Sequence, residues 1–255
     1  MHSLPALTAH HALFLDFDGT LVEIAAQPHC VQVSASLLPI LEALQQHLGG
    51  ALALVTGREQ ADVDAFLAPL TLPMASEHGA KMRWGNDSTN GGKHDGPNGG
   101  MPVAKIPDLA AVTAAAQALA AQHPELLLEF KRASVALHYR QAPHLEPLCR
   151  ATLEHAVRET SGVELLHGKC VLEVKSADVH KGHAIAAFMQ TPPFAQRTPV
   201  FVGDDVTDEA GFAAVVALGG VGIKVGPGAS QAQYRCSSPA AVRAWLLASC
   251  AALAP

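Results

Sequence analysis

The stretch that decides the fold is His11-Ala-Leu-Phe-Leu-Asp16-Phe-Asp18-Gly-Thr20. Residues 11 to 17 form a short, continuous apolar run ending in acids, which predicts a strand buried on both faces of a parallel sheet. Asp16 and Asp18 are two apart and project together into the crevice beyond the strand end, where Gly19 lets the chain turn sharply. Two neighbouring carboxylates cannot both ionise comfortably without a cation. An Asp-rich turn would read the same way locally, so the rest of the chain must decide.

A second strand end decides it. Pro199-Val-Phe-Val202 is another buried run, and Gly203-Asp204-Asp205-Val206-Thr207-Asp208-Glu209 follows it. In a doubly wound sheet both strand ends face one crevice, so this cluster is expected to meet Asp16 and Asp18. Hard oxygen ligands in that number suit Mg²⁺. Glu209 alone is explained as well by the positive end of the helix that follows. Two further segments supply the opposite polarity. Val55-Thr56-Gly57-Arg58 offers a hydroxyl and backbone N–H groups at a helix start, an anion cradle. Lys181-Gly182 opens another helix, where a lysine opposes the helix dipole unless it has an anionic partner.

Between these segments the pattern runs strand and helix in alternation. A helix with Ser34 or Ser36 as N-cap carries Leu37, Leu41, Leu44 and Leu48 on one stripe, with Gly49 just beyond. Strands are expected at 51–55 and 74–77, a helix from about Glu59, and after Thr207 a helix, a strand at 220–225 and a closing helix from Pro239. The fold class is therefore α/β, a Rossmann-like doubly wound parallel sheet.

The middle of the chain differs. Asp108 caps an alanine-rich helix to about Gln122. Strands follow at 126–131 and 134–140, a helix at 144–160, and strands at 163–167 and 169–175 turning at Gly168. Helix–strand–strand twice over predicts an α+β module with an antiparallel sheet. The expected division is residues 1–103 and 178–255 for the core and 104–177 for the inserted cap. Alternation places Glu129, Lys131, Arg140, Lys169 and Glu173 on one face of the cap sheet and the apolar residues on the other. A salt-bridged solvated face has that composition, and so does a surface that grips a hydroxyl-rich ligand. The Gly85–Gly100 run, rich in Gly and Asn, cannot pack a core and reads as a loop near the junction.

Composition removes other classes. The 255 residues carry 17 basic and 23 acidic side chains, net −6, which excludes a nucleic-acid surface built on clustered Lys and Arg. No run approaches the roughly 20 apolar residues of a membrane span, and the start lacks a signal-peptide pattern. Five scattered cysteines without a CxxC read as reduced thiols of a cytoplasmic protein, expected to be a monomer.

The strings FLDFDGTLVEI, VTGRE, SEHGA, ALHYRQAP, LEVKSADVHKGHAI and FVGDDVTDEAGF resemble those of the haloacid-dehalogenase-like phosphatases and, within them, the trehalose-6-phosphate phosphatase family. The resemblance implies hydrolysis of a sugar phosphate through an aspartyl-phosphate. It makes Asp16 the nucleophile and Asp18 the general acid and base. Mg²⁺ would sit among Asp16, the Asp18 backbone carbonyl, Asp204 and Asp208, with Asp205 the alternative to Asp208 as a supporting carboxylate. Thr56 and Lys181 would bind the phosphoryl oxygens. Gly57, Arg58, His78 and the polar cap face would contact the substrate, His78 being equally explicable as a structural histidine. A cap of this kind closes over the core, with hinges near 100–107 and 176–180.

Overall fold

The computed structural model describes residues 3–25, 27–85, 107–131 and 134–253. In chain order the strands and helices are β1 (His11–Leu15), α1 (Leu37–His47), β2 (Leu52–Val55), α2 (Gln60–Leu67), β3 (Met74–Ser76), β4 (Lys81–Arg83) and α3 (Ala110–Gln122). They continue with β5 (Leu127–Phe130), β6 (Ser134–His138), α4 (Glu146–Arg158), β7 (Val163–Gly168), β8 (Val171–Ser176) and α5 (Lys181–Phe188). The last are β9 (Thr198–Gly203), α6 (Glu209–Ala217), β10 (Val221–Val225), β11 (Tyr234–Cys236) and α7 (Pro239–Leu253). The chain divides into two compact units, Met1–Gly100 with His180–Pro255, and Met101–Val179.

The first unit is built on a seven-stranded sheet in the order β11-β10-β9-β1-β2-β3-β4. All neighbours are parallel except β3 and β4. The expected doubly wound α/β core is therefore present, with an antiparallel edge that the sequence pattern did not announce. Three residues, Lys81-Met-Arg83, are too few to show a period. What fastens them is long-range: Arg83 donates to both Asp64 carboxylate oxygens at 2.7 and 2.8 Å and to Leu72 O.

Strands β1, β2 and β9 are fully buried along almost their whole length, which is why they read as unbroken apolar runs rather than alternating ones. Phe14 of β1 stacks on Phe194 at 5.4 Å and leans on Phe188 at 5.9 Å. Burying one such ring stabilises the unit by about 1.5–3 kcal/mol. Helices α1 and α7 pack together, as do α5 and α6. The α1 stripe is buried as expected, but its cap differs. Ser36 stands at the N-cap with helical φ and ψ and makes no side-chain capping bond. Its hydroxyl and that of Ser34 meet at 3.0 Å instead.

The second unit is a four-stranded antiparallel sheet, β5-β6-β8-β7, with α3 and α4 on its apolar face. Leu128, Val135, Leu137, Leu165, Leu172 and Val174 pack there with Val112, Ala116, Cys149 and Leu153 of the helices. Asp108 accepts from Ala110 N at 2.9 Å at the start of α3. One expectation needs correction here. The β7–β8 turn is not centred on Gly168, which pairs with Val171 inside the ladder. The two-residue turn is Lys169-Cys170, with Cys170 at φ +64°, because a tight hairpin needs a left-handed residue to follow the sheet twist. Lys169 therefore sits at the hairpin tip and does not share the strand face of Glu173. The Gly85–Gly100 loop, apart from Gly85, and the hinge expected at 100–107, apart from Pro107, lie outside the described residues. Among the described residues, no helix is long and apolar enough to cross a membrane.

Candidate active site

The register of the core sheet assembles the site. Leu15 pairs with Leu54 of β2 and with Val202 of β9. The three strands are parallel, so Asp16, Thr56 and Asp204 all leave the sheet at the same edge, past the carboxyl ends. Asp16 N donates to Val202 O at 2.9 Å, and Thr56 N to Ala75 O at 2.9 Å. Both side chains thus start from backbone that is still held in the ladder.

At the centre lies a buried ionic triad. Lys181, the first residue of α5, donates to Asp16 Oδ1 and to Asp208 Oδ1, each at 2.7 Å. The three side chains are 3%, 6% and 0% exposed, so none of these charges is relieved by solvent. Lys181 is thereby provided with the anionic partners that its place at a helix N-terminus demanded. Burial alone would depress the Lys181 ammonium, but the charges of Asp16 and Asp208 outweigh it and hold the pKa above its ordinary value. Burial pushes the Asp16 carboxyl up, the Lys181 charge opposes that, and Asp208 and Asp204 add to it.

Asp204 completes the cluster. Asp16, Asp204 and Asp208 each offer an oxygen within 4.8 Å of the others, all three buried. Two glycines make room for them. A Cβ on Gly19, whose φ is +73°, would stand 2.2 Å from Asp204 Oδ2, and one on Gly203 would stand 2.4 Å from Asp208 Cγ. Asp208 is fixed further by Asp204 N and Asp205 N, which donate to its Oδ2 at 2.8 and 2.9 Å. Three hard carboxylates around one point, with a single lysine between two of them, leave excess negative charge. Such a donor set fits a small divalent cation, which would also draw the Asp16 carboxyl back toward its ionised form.

Asp205 stays outside that group, capping the turn Val206–Asp208 through Val206 N at 2.7 Å. Glu209 faces away and accepts from Gln231 N at 2.9 Å, in keeping with its plainer reading. The Asp18 carboxylate also lies outside the three-oxygen cluster. Arg58 holds it through two bonds, Nε at 2.5 Å and Nη2 at 2.7 Å. The guanidinium also lies against the paired Phe17 and Phe66 rings, 5.8 Å and 5.2 Å from their centroids. Thr56 Oγ1 accepts from Arg58 N at 3.1 Å, and Thr20 Oγ1 donates to Asp16 Oδ2 at 3.3 Å.

His78 joins the same edge. Its backbone N donates to Thr56 O and that of Glu77 to Arg58 O, and its imidazole lies so close to Gly57 that a Cβ there would be 2.6 Å from Cε1. Glu77 and His78 are both left-handed, at φ +49° and +60°, a strain of order 1–3 kcal/mol each where side chains are forced there.

In the second unit, Glu129 pairs with Ala136 and Ala136 with Glu173, which sets all three on one face. Lys131 donates to Glu173 Oε1 at 3.1 Å and lies 4.0 Å from Glu129 Oε1. Arg140 and Lys169 are placed beyond the strands, where Arg140 Nη2 donates to Lys169 O at 2.8 Å. Two members of the polar face are not singled out by the sequence reading. Ser134 donates to Glu173 Oε1 at 2.5 Å. His138 Nε2 lies 2.8 Å from Glu129 Oε2 and carries the proton, because a carboxylate only accepts. Their parity with Ala136 was the available signal. The His138 bond, opposed by burial, lowers the Glu129 pKa. Lys224 is not singled out either, a lysine inside the apolar run Val-Gly-Ile-Lys-Val of β10.

Comparison with known proteins now places the chain. The trehalose-phosphatase family matches residues 14–240, which includes every residue just described at the sheet edge. The chain belongs to the trehalose-phosphatase family. It is 41% identical over 244 residues, 95% of this chain and 87% of the other, to the trehalose-6-phosphate phosphatase of Escherichia coli (strain K12). It is 40% identical over 231 residues, 90% and 83% of the two chains, to a probable trehalose-phosphate phosphatase of Sinorhizobium fredii. A crystal structure of a trehalose-6-phosphate phosphatase related protein superposes with TM-score 0.73 at 27% identity, over 94% of this chain and 97% of that one. The C-terminal domain of the Candida albicans trehalose-6-phosphate phosphatase shares the fold, with TM-score 0.81 at 20% identity over 96% and 93%. Family membership makes the chain a phosphoric monoester hydrolase with the haloacid-dehalogenase-like fold.

Proposed function

We propose that this trehalose-phosphatase family member hydrolyses trehalose 6-phosphate to trehalose and phosphate, with Asp16 as nucleophile and Mg²⁺ as cofactor. The observation that carries the reading is the buried convergence of Asp16, Asp204, Asp208 and Lys181 past the carboxyl ends of β1 and β9. Asp16, Asp204 and Asp208, with the Asp18 backbone carbonyl, would hold the ion, which would neutralise the carboxylates and the phosphoryl oxygens.

Asp16 attacks phosphorus with a carboxylate oxygen as the bond to the sugar oxygen breaks, and Asp18 delivers a proton to that oxygen. Asp18 then takes a proton from water, whose oxygen attacks the phosphorus of the acyl phosphate and regenerates the Asp16 carboxylate. Lys181 and the Thr56 hydroxyl offset charge on the phosphoryl oxygens. Arg58 links binding to chemistry: its guanidinium occupies the Asp18 carboxylate, and an arriving phosphate ester competes for the same donors, releasing Asp18 for proton transfer.

Specificity is assigned to the polar face of the second unit. Glu129, Glu173 and Lys131 supply acceptors and a donor suited to sugar hydroxyls, while Gly57 and His78 line the phosphate side. Free thiols at all five cysteines support a reducing, cytoplasmic setting. The deciding experiment is phosphate release from trehalose 6-phosphate, sucrose 6-phosphate and glucose 6-phosphate, after chelation and after Mg²⁺ is returned. Rapid release confined to trehalose 6-phosphate with Mg²⁺ is expected. Undiminished turnover in excess chelator, or equal rates on all three, refutes the metal or the substrate assignment respectively.

A further inference from the structure

The first unit contains a second buried lysine that the reaction scheme does not use. Lys224 is 6% exposed. Its Nζ donates to Asp204 O in a short contact and to Val225 O at 3.0 Å. Among the described residues no carboxylate lies within 4.0 Å of it, so its charge is met only by carbonyl dipoles. A buried ammonium without a counter-charge is unfavourable in a strand unless the surrounding field offsets it, and the nearest element it grips is the one carrying Asp204.

The geometry shows what is held. Asp204 is the first residue after β9, and its carboxylate lies over Gly19 with no space to spare. Asp208 fixes the Asp204 N–H from one side, and Lys224 fixes its C=O from the other. The peptide groups flanking Asp204 are thus tied to a carboxylate and to an ammonium, while the side chain between them faces Asp16 and Asp208. Groups behind metal ligands that orient them commonly change metal affinity by about 10–100-fold when removed.

We propose that Lys224 is a positioning residue that sets the cation affinity of the Asp16–Asp204–Asp208 cluster by clamping the Asp204 main chain. The inference rests on the metal reading of that cluster. It has an unusual sign. Deleting a positive charge beside a cation site would by Coulomb's law tighten cation binding, whereas deleting a clamp loosens it. The two effects are separated by experiment.

The test measures Mn²⁺ binding to the intact protein by loss of the free-ion electron paramagnetic resonance signal, for wild type, K224M and K224R. Expected are at least a tenfold weaker Kd in K224M and recovery to within about threefold of wild type in K224R, which restores a cationic donor. Turnover of trehalose 6-phosphate by K224M is expected to fall at low Mg²⁺ and to recover as Mg²⁺ is raised. Equal or tighter Mn²⁺ binding by folded K224M overturns the clamp, as does a K224R no better than K224M. If K224M does not fold, K224R against K224Q decides by the same comparison. A wild-type protein that takes up no Mn²⁺ overturns the metal reading itself and this inference with it.

Discussion

Replacing Lys181 with methionine keeps the length of the side chain and removes the one charge shared by two buried carboxylates. Lys181 is 2.7 Å from both Asp16 Oδ1 and Asp208 Oδ1, and Asp208 is wholly inaccessible. Breaking such a buried pair from one side costs about 3–5 kcal/mol, mostly because the remaining charge is stranded. For a chain of this size that corresponds to roughly 6–20 °C in Tm, at about 2–4 °C per kcal/mol. The loss must also depend on pH. Burial already raises the Asp16 carboxyl, and Lys181 is what opposes it. Without the lysine the folded-state pKa climbs further above the unfolded one. A raised carboxyl favours folding only while protonated, so the deficit of K181M grows as pH rises through that pKa and shrinks toward acid. Urea unfolding in EDTA at pH 5.5 and pH 8 reads this directly. Both tryptophans, Trp84 and Trp245, belong to the first unit, so their fluorescence follows that unit alone. Turnover should fall by about 10²–10³ with the loss of a phosphoryl-oxygen donor. A K181M protein within 1 kcal/mol of wild type at pH 8, or one whose deficit is the same at both pH values, would show that the triad is not charged as described.

Asp16→Asn should reduce phosphate release by at least about 10³-fold, the scale lost when a catalytic nucleophile is removed, while its Tm in EDTA stays at or above the wild-type value because one buried charge has gone. Glu129→Gln tests the lowered Glu129 pKa: a depressed carboxyl stabilises the fold above its unfolded pKa and loses that contribution as pH falls through the folded one. The urea midpoints of wild type and E129Q should therefore draw together as pH falls through the lowered folded-state pKa of Glu129, and E129Q should lose far more turnover on trehalose 6-phosphate than on a small aryl phosphate. Gly19→Ala places a Cβ 2.2 Å from Asp204 Oδ2 at φ +73° and should cost about 1–3 kcal/mol and weaken Mn²⁺ binding; unchanged Mn²⁺ affinity would separate Asp204 from the cation site.

Much of this site is legible in the sequence. A parallel strand buried on both faces has to read as an apolar run, so HALFL and PVFV were visible, and acids immediately beyond such runs mark the edge where strand ends converge. Lys181 was conspicuous for the same kind of reason, a cation where the helix dipole disfavours one. The contacts that were not legible are those joining segments far apart in sequence. Asp18 and Arg58 are 40 residues apart, and each has a sufficient local explanation that does not mention the other. Asp205 and Asp208 are indistinguishable as letters, and only the turn between them sends one to cap a backbone N–H and the other into the cluster. On the second sheet, alternation gave Glu129, Lys131 and Glu173 correctly but misplaced Lys169, because a two-residue turn ends the alternation earlier than a glycine-centred one.

The charge distribution explains why the net value of −6 says so little about a phosphate ester as substrate. Among the described residues Lys181 is the cation that pairs with Asp16 and Asp208; Lys224 touches carbonyls and Arg58 is taken up by Asp18. In this state the crevice is negative, and a dianion would be repelled. A divalent cation at the three carboxylates, together with the release of Arg58 proposed above, would change the balance by several charges at one point without altering any residue. On the proposed reading, the side chains that would repel an anion from the metal-free crevice would admit one once a cation is bound, and the order that follows is cation first, sugar phosphate second.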